Sequence, residues 1–218
     1  MKLLEFIQLF KESFPSLLEG LAMTIKITVI ALIIAIIIGL VVGLVNVSKN
    51  KGLKAIARIY IDIVRGTPLI VQAFFIYFGL PSVLNFKINA VIAGIIAISI
   101  NAGAYMSEIF RAGILAVDNG QMEAARSLGL SHGTAMRKVV LPQAFRNMIP
   151  ALVNQFIISL KDTSILSVIG ITELTQSGEI IIASNYKAFQ IWIMVAIFYL
   201  IIIEILSIVS KRVERCLS

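Results

Sequence analysis

The chain has 218 residues, 59% of them hydrophobic and only 14% charged, with a mean hydropathy of +0.97. Soluble domains carry about 25% charged residues, so this composition excludes a soluble globular protein and specifies an integral membrane one. The net charge of +7 does not indicate nucleic acid, because the basic residues flank apolar runs and do not interleave with aromatics on a polar face.

Residues 1–19 alternate apolar side chains with Lys2, Glu5, Lys11, Glu12 and Glu19, an amphipathic segment too short and too charged to span. It lacks the small-x-small cleavage site of a signal peptide. The first spanning run covers about 21–47 and is interrupted only by Lys26, whose stem can snorkel to the interface. Gly39 and Gly43 within it have the spacing of close-packed membrane helices. Further runs at about 59–80, 88–110, 139–160 and 188–210 each approach the roughly 20 residues that a bilayer core requires. The connection over 162–186 is too apolar for a solvated loop. Gly170 and Gly178 punctuate it, so it reads as broken, partly re-entrant helix packed against its neighbours.

Between spans three and four lies a polar insert over 119–142. Its pattern predicts a short helix with Asn119 as cap, Glu123 in the first turn and good helix formers over 122–128, ended by Gly129. The positive charges divide unevenly. Lys49, Lys51, Lys54, Arg58, Arg111, Arg126, Arg137, Lys138, Arg146, Lys211, Arg212 and Arg215 fall on one side of a five-span topology, and Lys2, Lys11, Lys87, Lys161 and Lys187 on the other. The positive-inside rule then places the N-terminus outside and the insert and C-terminus in the cytoplasm.

Polar residues inside spans are costly and mark function or pairing. In span two, Asp62, Arg65, Leu69 and Gln72 share a helical face, and Pro68 predicts a kink. Asp62 and Arg65 suit an intrahelical ion pair, whereas Thr67 and Gln72 lie deeper and suit a ligand. Span three carries Asn101, Tyr105 and Glu108 on one stripe, and span four carries Gln155, Ser159 and Asp162. Two readings stay open: Glu108 pairs with Arg111, Asp162 with Lys161, and Asn101 joins helices; or the stripes face a wet cavity. In the second reading Glu108 or Asp162 receives an ammonium, and Thr67, Asn101 or Ser164 donates to a carboxylate.

Three blocks of residues bear a family resemblance. Glu123-Ala124-Ala125, Gly129, Val139, Leu141 and Pro142 follow E-A-A-x(3)-G-x(9)-I-x-L-P, with Val139 in place of Ile. Arg65-Gly66-Thr67-Pro68-Leu69 with Gln72 is the second block, and Lys161-Asp162-Thr163-Ser164 with Ser167-Val168-Ile169-Gly170 the third. The chain resembles, over nearly its whole length, the permease subunits of bacterial ABC importers for histidine, glutamine and arginine. The resemblance implies an all-α integral membrane protein of the type I importer permease kind, with five transmembrane helices in one domain over 1–218 and a cytoplasmic coupling helix. Glu123, Ala124, Ala125, Gly129, Leu130 and Pro142 would then couple to an ATPase, and Thr67, Gln72, Asn101, Tyr105, Glu108, Asp162 and Ser164 would line the substrate path. The implied partners are a dimer of ATP-binding subunits, which uses the ATP and Mg, a second permease copy or a related permease, and an extracytoplasmic solute-binding protein. The implied cargo is a polar amino acid, basic ones included, and the implied location the bacterial cytoplasmic membrane.

No GxxxxGK[ST] phosphate loop occurs in the sequence, so ATP hydrolysis by that mechanism falls to a partner, and no cofactor of this chain's own is expected. An ion-coupled secondary carrier is the alternative that Glu108 and Asp162 would also serve. A membrane enzyme fits poorly: His132 is the sole histidine and Cys216 the sole cysteine, which leaves no metal set, disulfide or nucleophile–base pair, and hence no catalytic residue.

Overall fold

The structure, a computed structural model, describes residues 3–48 and 50–217; Lys2 and Lys49, and the side chains of Arg215 and Cys216, lie outside the described residues. Helix α1 (Leu3–Asn46) runs unbroken from the amphipathic N-terminal segment into the first apolar run, with Pro15 inside it. Helix α2 (Lys51–Gly66) follows, capped by Asn50, whose side chain accepts from the amides of Gly52 and Leu53. A run of α3 (Leu69–Phe74), a π-turn (Phe75–Gly79) and α4 (Leu80–Leu84) comes next, bent by 105° from α2. Helix α5 (Ala90–Leu115) is the central span, and α6 (Asn119–Ser127) is the helix of the polar insert. Helix α7 (His132–Ala135), a π-turn (Met136–Val140) and α8 (Leu141–Asp162) form one long run that ends in a 3-10 turn (Thr163–Ile169). Helices α9 (Leu174–Asn185) and α10 (Ala188–Leu217) close the chain.

Among the described residues four runs are long and apolar enough to cross a bilayer, and the bent pair supplies a fifth when counted as one span. Span two is therefore a broken helix and not a kinked one over 59–80. Pro68 has no N–H to donate and its ring disfavours helical geometry at the residue before it. Thr67 accordingly sits extended at φ −118° and ψ 140°.

The crossing of α1 on α5 is set by small residues. A Cβ on Gly39 would lie 2.6 Å from the Cβ of Met106, and one on Gly43 would lie 3.0 Å from the carbonyl of Ser107. The expected Gly39/Gly43 contact thus lets two backbones approach closely. Leu32, Ala35, Ala102, Met106, Phe110 and Met148 form one core cluster that takes in this crossing, and Ile27, Ala31, Ala73, Ala97, Ile98 and Leu166 form a second. The outward face of α1, with Val29, Ile33, Ile37 and Val41, is exposed and apolar, as suits a helix of spanning length.

The 162–186 connection is broken helix, as expected. Gly170 takes φ +79° after the 3-10 turn, and α9 packs between α1 and α10. The start of α9 is pinned by a side chain that sequence reasoning passed over. Glu173 is fully buried and accepts from the amides of Thr175 (3.0 Å) and Gln176 (2.8 Å) and from the Tyr199 hydroxyl (3.1 Å). Thr24 of α1 joins the cluster by accepting from the Leu174 amide at 3.2 Å.

Only the first part of the insert folds as α6, and from His132 onward it opens the α7–α8 run; the start of α6 also differs from expectation, because Glu123 lies past its first turn. The cap is Asp118, not Asn119: its Oδ1 accepts from the Gly120 amide at 2.6 Å. At the other end Gly129 takes φ +83°, its amide donates to Arg126 and the Leu130 amide donates to Ala125 at 3.2 Å. These two bonds form a Schellman motif, which needs a left-handed residue at Gly129.

Candidate translocation site

Three helices converge on one cavity of about 630 Å³. Helix α2 brings Arg65, the break brings Thr67, α5 brings Asn101 and Tyr105, and α8 brings Gln155 and Asp162. Four of the residues singled out from sequence, Thr67, Asn101, Tyr105 and Asp162, therefore share a wall. A second cavity of about 540 Å³ adjoins it and is lined by Glu108, Arg111, Asn147 and Asn154 together with Arg65, Tyr105 and Gln155. A third, of about 340 Å³, holds Lys54, Arg58 and Asp62 with Glu108 and Arg111.

The remaining sequence candidates are held differently. The Gln72 amide nitrogen donates to the Val64 carbonyl at 2.8 Å, the Thr67 carbonyl at 3.0 Å and the Thr67 hydroxyl at 2.9 Å. Its oxygen accepts from buried Asn101 at 3.2 Å. Gln72 thus ties the break in span two to α5, satisfying carbonyls that the interrupted helix leaves open. Glu108 sits away from Asp162. It is paired with Arg111 at 2.8 Å and accepts from Asn46 at 3.2 Å. Ser164 donates to the Lys161 carbonyl at 2.7 Å and does not line the cavity.

Among the described residues the ion pairs suggested for Asp62 with Arg65 and for Asp162 with Lys161 are absent. Arg65 instead lies over the Tyr105 ring, 5.1 Å from its centroid. Arg65 and Gln155 were on polar stripes in the sequence but were not singled out as site residues. The signal available was that each shares a helical face with an accepted candidate, Arg65 with Gln72 and Gln155, two helical turns earlier, with Asp162.

The insert presents a second candidate surface. Glu123, Ala124, Gly129 and Pro142 are exposed, while Ala125 is buried against the π-turn side of the fold. Arg126 donates to the Leu130 carbonyl at 2.9 Å and so braces the turn. Leu128, which sequence reasoning also passed over, is 84% exposed. An apolar side chain at such exposure on an otherwise polar segment is suited to burial by a partner.

A family described as "Binding-protein-dependent transport system inner membrane component" matches residues 31–218. The glutamine transport system permease protein GlnP of Escherichia coli (strain K12) is 45% identical over 204 residues, covering 93% of both chains. The arginine transport system permease protein ArtQ of Bacillus subtilis (strain 168) is 42% identical over 204 residues, covering 94% of this chain and 93% of that protein. A solved amino acid ABC transporter crystallised with histidines superposes with a TM-score of 0.92 at 43% identity, over 96% of this chain and 97% of that one. The MetNI methionine ABC transporter in an inward-facing conformation shares the fold, with a TM-score of 0.76 at 20% identity over 93% of this chain and 96% of that one.

Proposed function

The chain belongs to the family of inner membrane components of binding-protein-dependent transport systems, the permease subunits of ABC importers, and from that premise we propose that it carries a polar amino acid through the cavity between α2, α5 and α8. The alternative of an ion-coupled secondary carrier is set aside by that membership. The observation that carries the substrate reading is the composition of the cavity wall. One cation, Arg65, and one carboxylate, Asp162, stand among the neutral groups of Thr67, Asn101, Tyr105 and Gln155. An α-amino acid is a zwitterion, and it needs one anion for its ammonium and one donor for its carboxylate. Both charges act more strongly here than in bulk water because the surrounding dielectric is low.

The chain supplies the path, and the energy comes from elsewhere. We assign ATP hydrolysis to a separate dimer of ATP-binding subunits that grips the insert through Glu123, Ala124, Gly129, Leu128, Leu130 and Pro142. Buried Ala125 lets α6 sit close to the membrane domain. A second permease, identical or related, completes the pathway, and an extracytoplasmic solute-binding protein delivers the cargo. In this orientation the N-terminus is outside and the insert and C-terminus are in the cytoplasm of a bacterium.

The test is ATPase activity of the assembled complex with a panel of amino acids. Stimulation by polar amino acids, with glutamine and arginine among the best, supports the reading. Equal activity with every amino acid and with none would remove the substrate assignment.

A further inference from the structure

Two cavities meet at three residues. Arg65, Tyr105 and Gln155, one each from α2, α5 and α8, line both the cavity that holds Asp162 and the cavity that holds Glu108 and Arg111. The order along the helices agrees. On α5, Asn101 belongs to the first cavity, Tyr105 to both, and Glu108 to the second; on α8, Asp162 and Ile158 belong to the first, Gln155 to both, and Met148 to the second. The shared residues thus form the junction, or neck, between two half-open chambers that follow one another along α5 and α8, and at that neck the Arg65 guanidinium rests over the Tyr105 ring, 5.1 Å from its centroid.

We propose that Arg65 gates this neck, its stack on Tyr105 being the closed position that a substrate must displace to move between the two chambers. The placement suits the role. Arg65 is the last charged residue of α2, one residue before Gly66 and the break at Thr67, so its side chain projects from the end of a helix and not from its middle. It reaches a third chamber as well, beside Asp62 and Glu108, where a displaced guanidinium finds acceptors. Gln155 is buried, held at 3.3 Å to Ser159 Oγ, and gives the opposite wall a fixed edge. A cation over an aromatic face is worth little enough to be broken by a passing ligand and enough to bias the neck shut.

The inference rests on the permease reading, and its test separates the two. The complete complex is reconstituted in vesicles loaded with a labelled amino acid that the parent carries with ATP, and efflux is measured without ATP. Tyr105→Ala and Arg65→Ala should each raise that leak about two- to fivefold, the change expected when one partly solvated cation–π contact is lost. Tyr105→Phe, which keeps the ring face, should leak less than Tyr105→Ala. Assembly of each variant with its partners is verified by size-exclusion chromatography. If a variant fails to assemble, cross-linking of Arg65→Cys to Tyr105→Cys in the complex serves instead; it should block ATP-driven uptake and release it on reduction. Parent-like leak in assembled alanine variants, or uptake undiminished by the cross-link, would overturn the gate. Absence of ATP-driven uptake by the parent with any amino acid would overturn the permease reading first.

Discussion

The side-chain amide of Gln72 donates to the backbone carbonyl of Val64 at 2.8 Å, eight residues back and across a 105° bend. Pro68 breaks the helix, and Gln72 makes the break affordable by taking up carbonyls that would otherwise be left open at membrane depth. A residue that looks like a ligand group from its place in the sequence therefore shapes the site by holding two helices and Asn101 together.

Gln72→Leu is expected to lower the thermal stability of the detergent-solubilised protein by about 1–3 kcal/mol, because both Val64 and Thr67 lose a donor. A melting curve superimposable on the parent's would show that the clamp does not stabilise the bend.

Packing at the α1–α5 crossing is equally testable. Gly39→Ala places a methyl 2.6 Å from Met106 Cβ and should destabilise by about 1–3 kcal/mol through overpacking. Gly133→Ala, where nothing lies within 4 Å, should be neutral or slightly stabilising. The comparison is read from the two melting temperatures, and equal values would contradict the crossing.

Gly129 is the left-handed residue that ends α6. Gly129→Val forces a β-branched side chain to φ +83° at a cost of roughly 1–2 kcal/mol, with the Schellman turn lost. Membrane insertion should survive, while co-purification of the ATP-binding subunit and transport should both fall. Leu128→Asp should do the same without touching the backbone. Wild-type co-purification by both variants would place the docking surface elsewhere.

The two carboxylates near the pathway should behave differently. Glu108 is paired with Arg111, the side chains 25% and 35% exposed, so Glu108→Gln is expected to cost about 1 kcal/mol of stability with a small change in substrate response. Asp162 lines the central cavity and has no such pair among the described residues, so Asp162→Asn should raise the amino acid concentration needed for half-maximal ATPase stimulation. The reverse pattern, a substrate effect from Glu108→Gln alone, would relocate the ammonium site.

Much of this was legible in the sequence for identifiable reasons. Apolar runs of spanning length marked the membrane helices, the Gly39/Gly43 spacing marked the close crossing of α1 on α5, and Gly129 marked the end of α6 because few other residues accept its backbone geometry. What was not legible depended on contacts distant in sequence. Pro68 announces a break, but its 105° angle follows from α3 packing on α5 and on the 3-10 turn. Arg65 stands three residues from Asp62, which suggested an ion pair, yet it turns to Tyr105, forty residues away, because the two helices cross there. Glu173 is not a usual helix cap, and only the enclosing surfaces of α1 and α10 explain its burial.

Orientation is checked by labelling Gly133→Cys in a Cys216→Ser background. An impermeant maleimide should reach it only after cells are permeabilised. Labelling in intact cells would invert the topology and put the insert out of reach of any cytoplasmic ATPase.

The most direct measurement is uptake of labelled glutamine and arginine into proteoliposomes that contain this chain, its permease partner and the ATP-binding subunits, with the solute-binding protein added outside. Uptake should require ATP within the lumen and persist when ionophores collapse every ion gradient. Uptake by the permease alone, driven by a proton or sodium gradient and indifferent to ATP, would contradict the account.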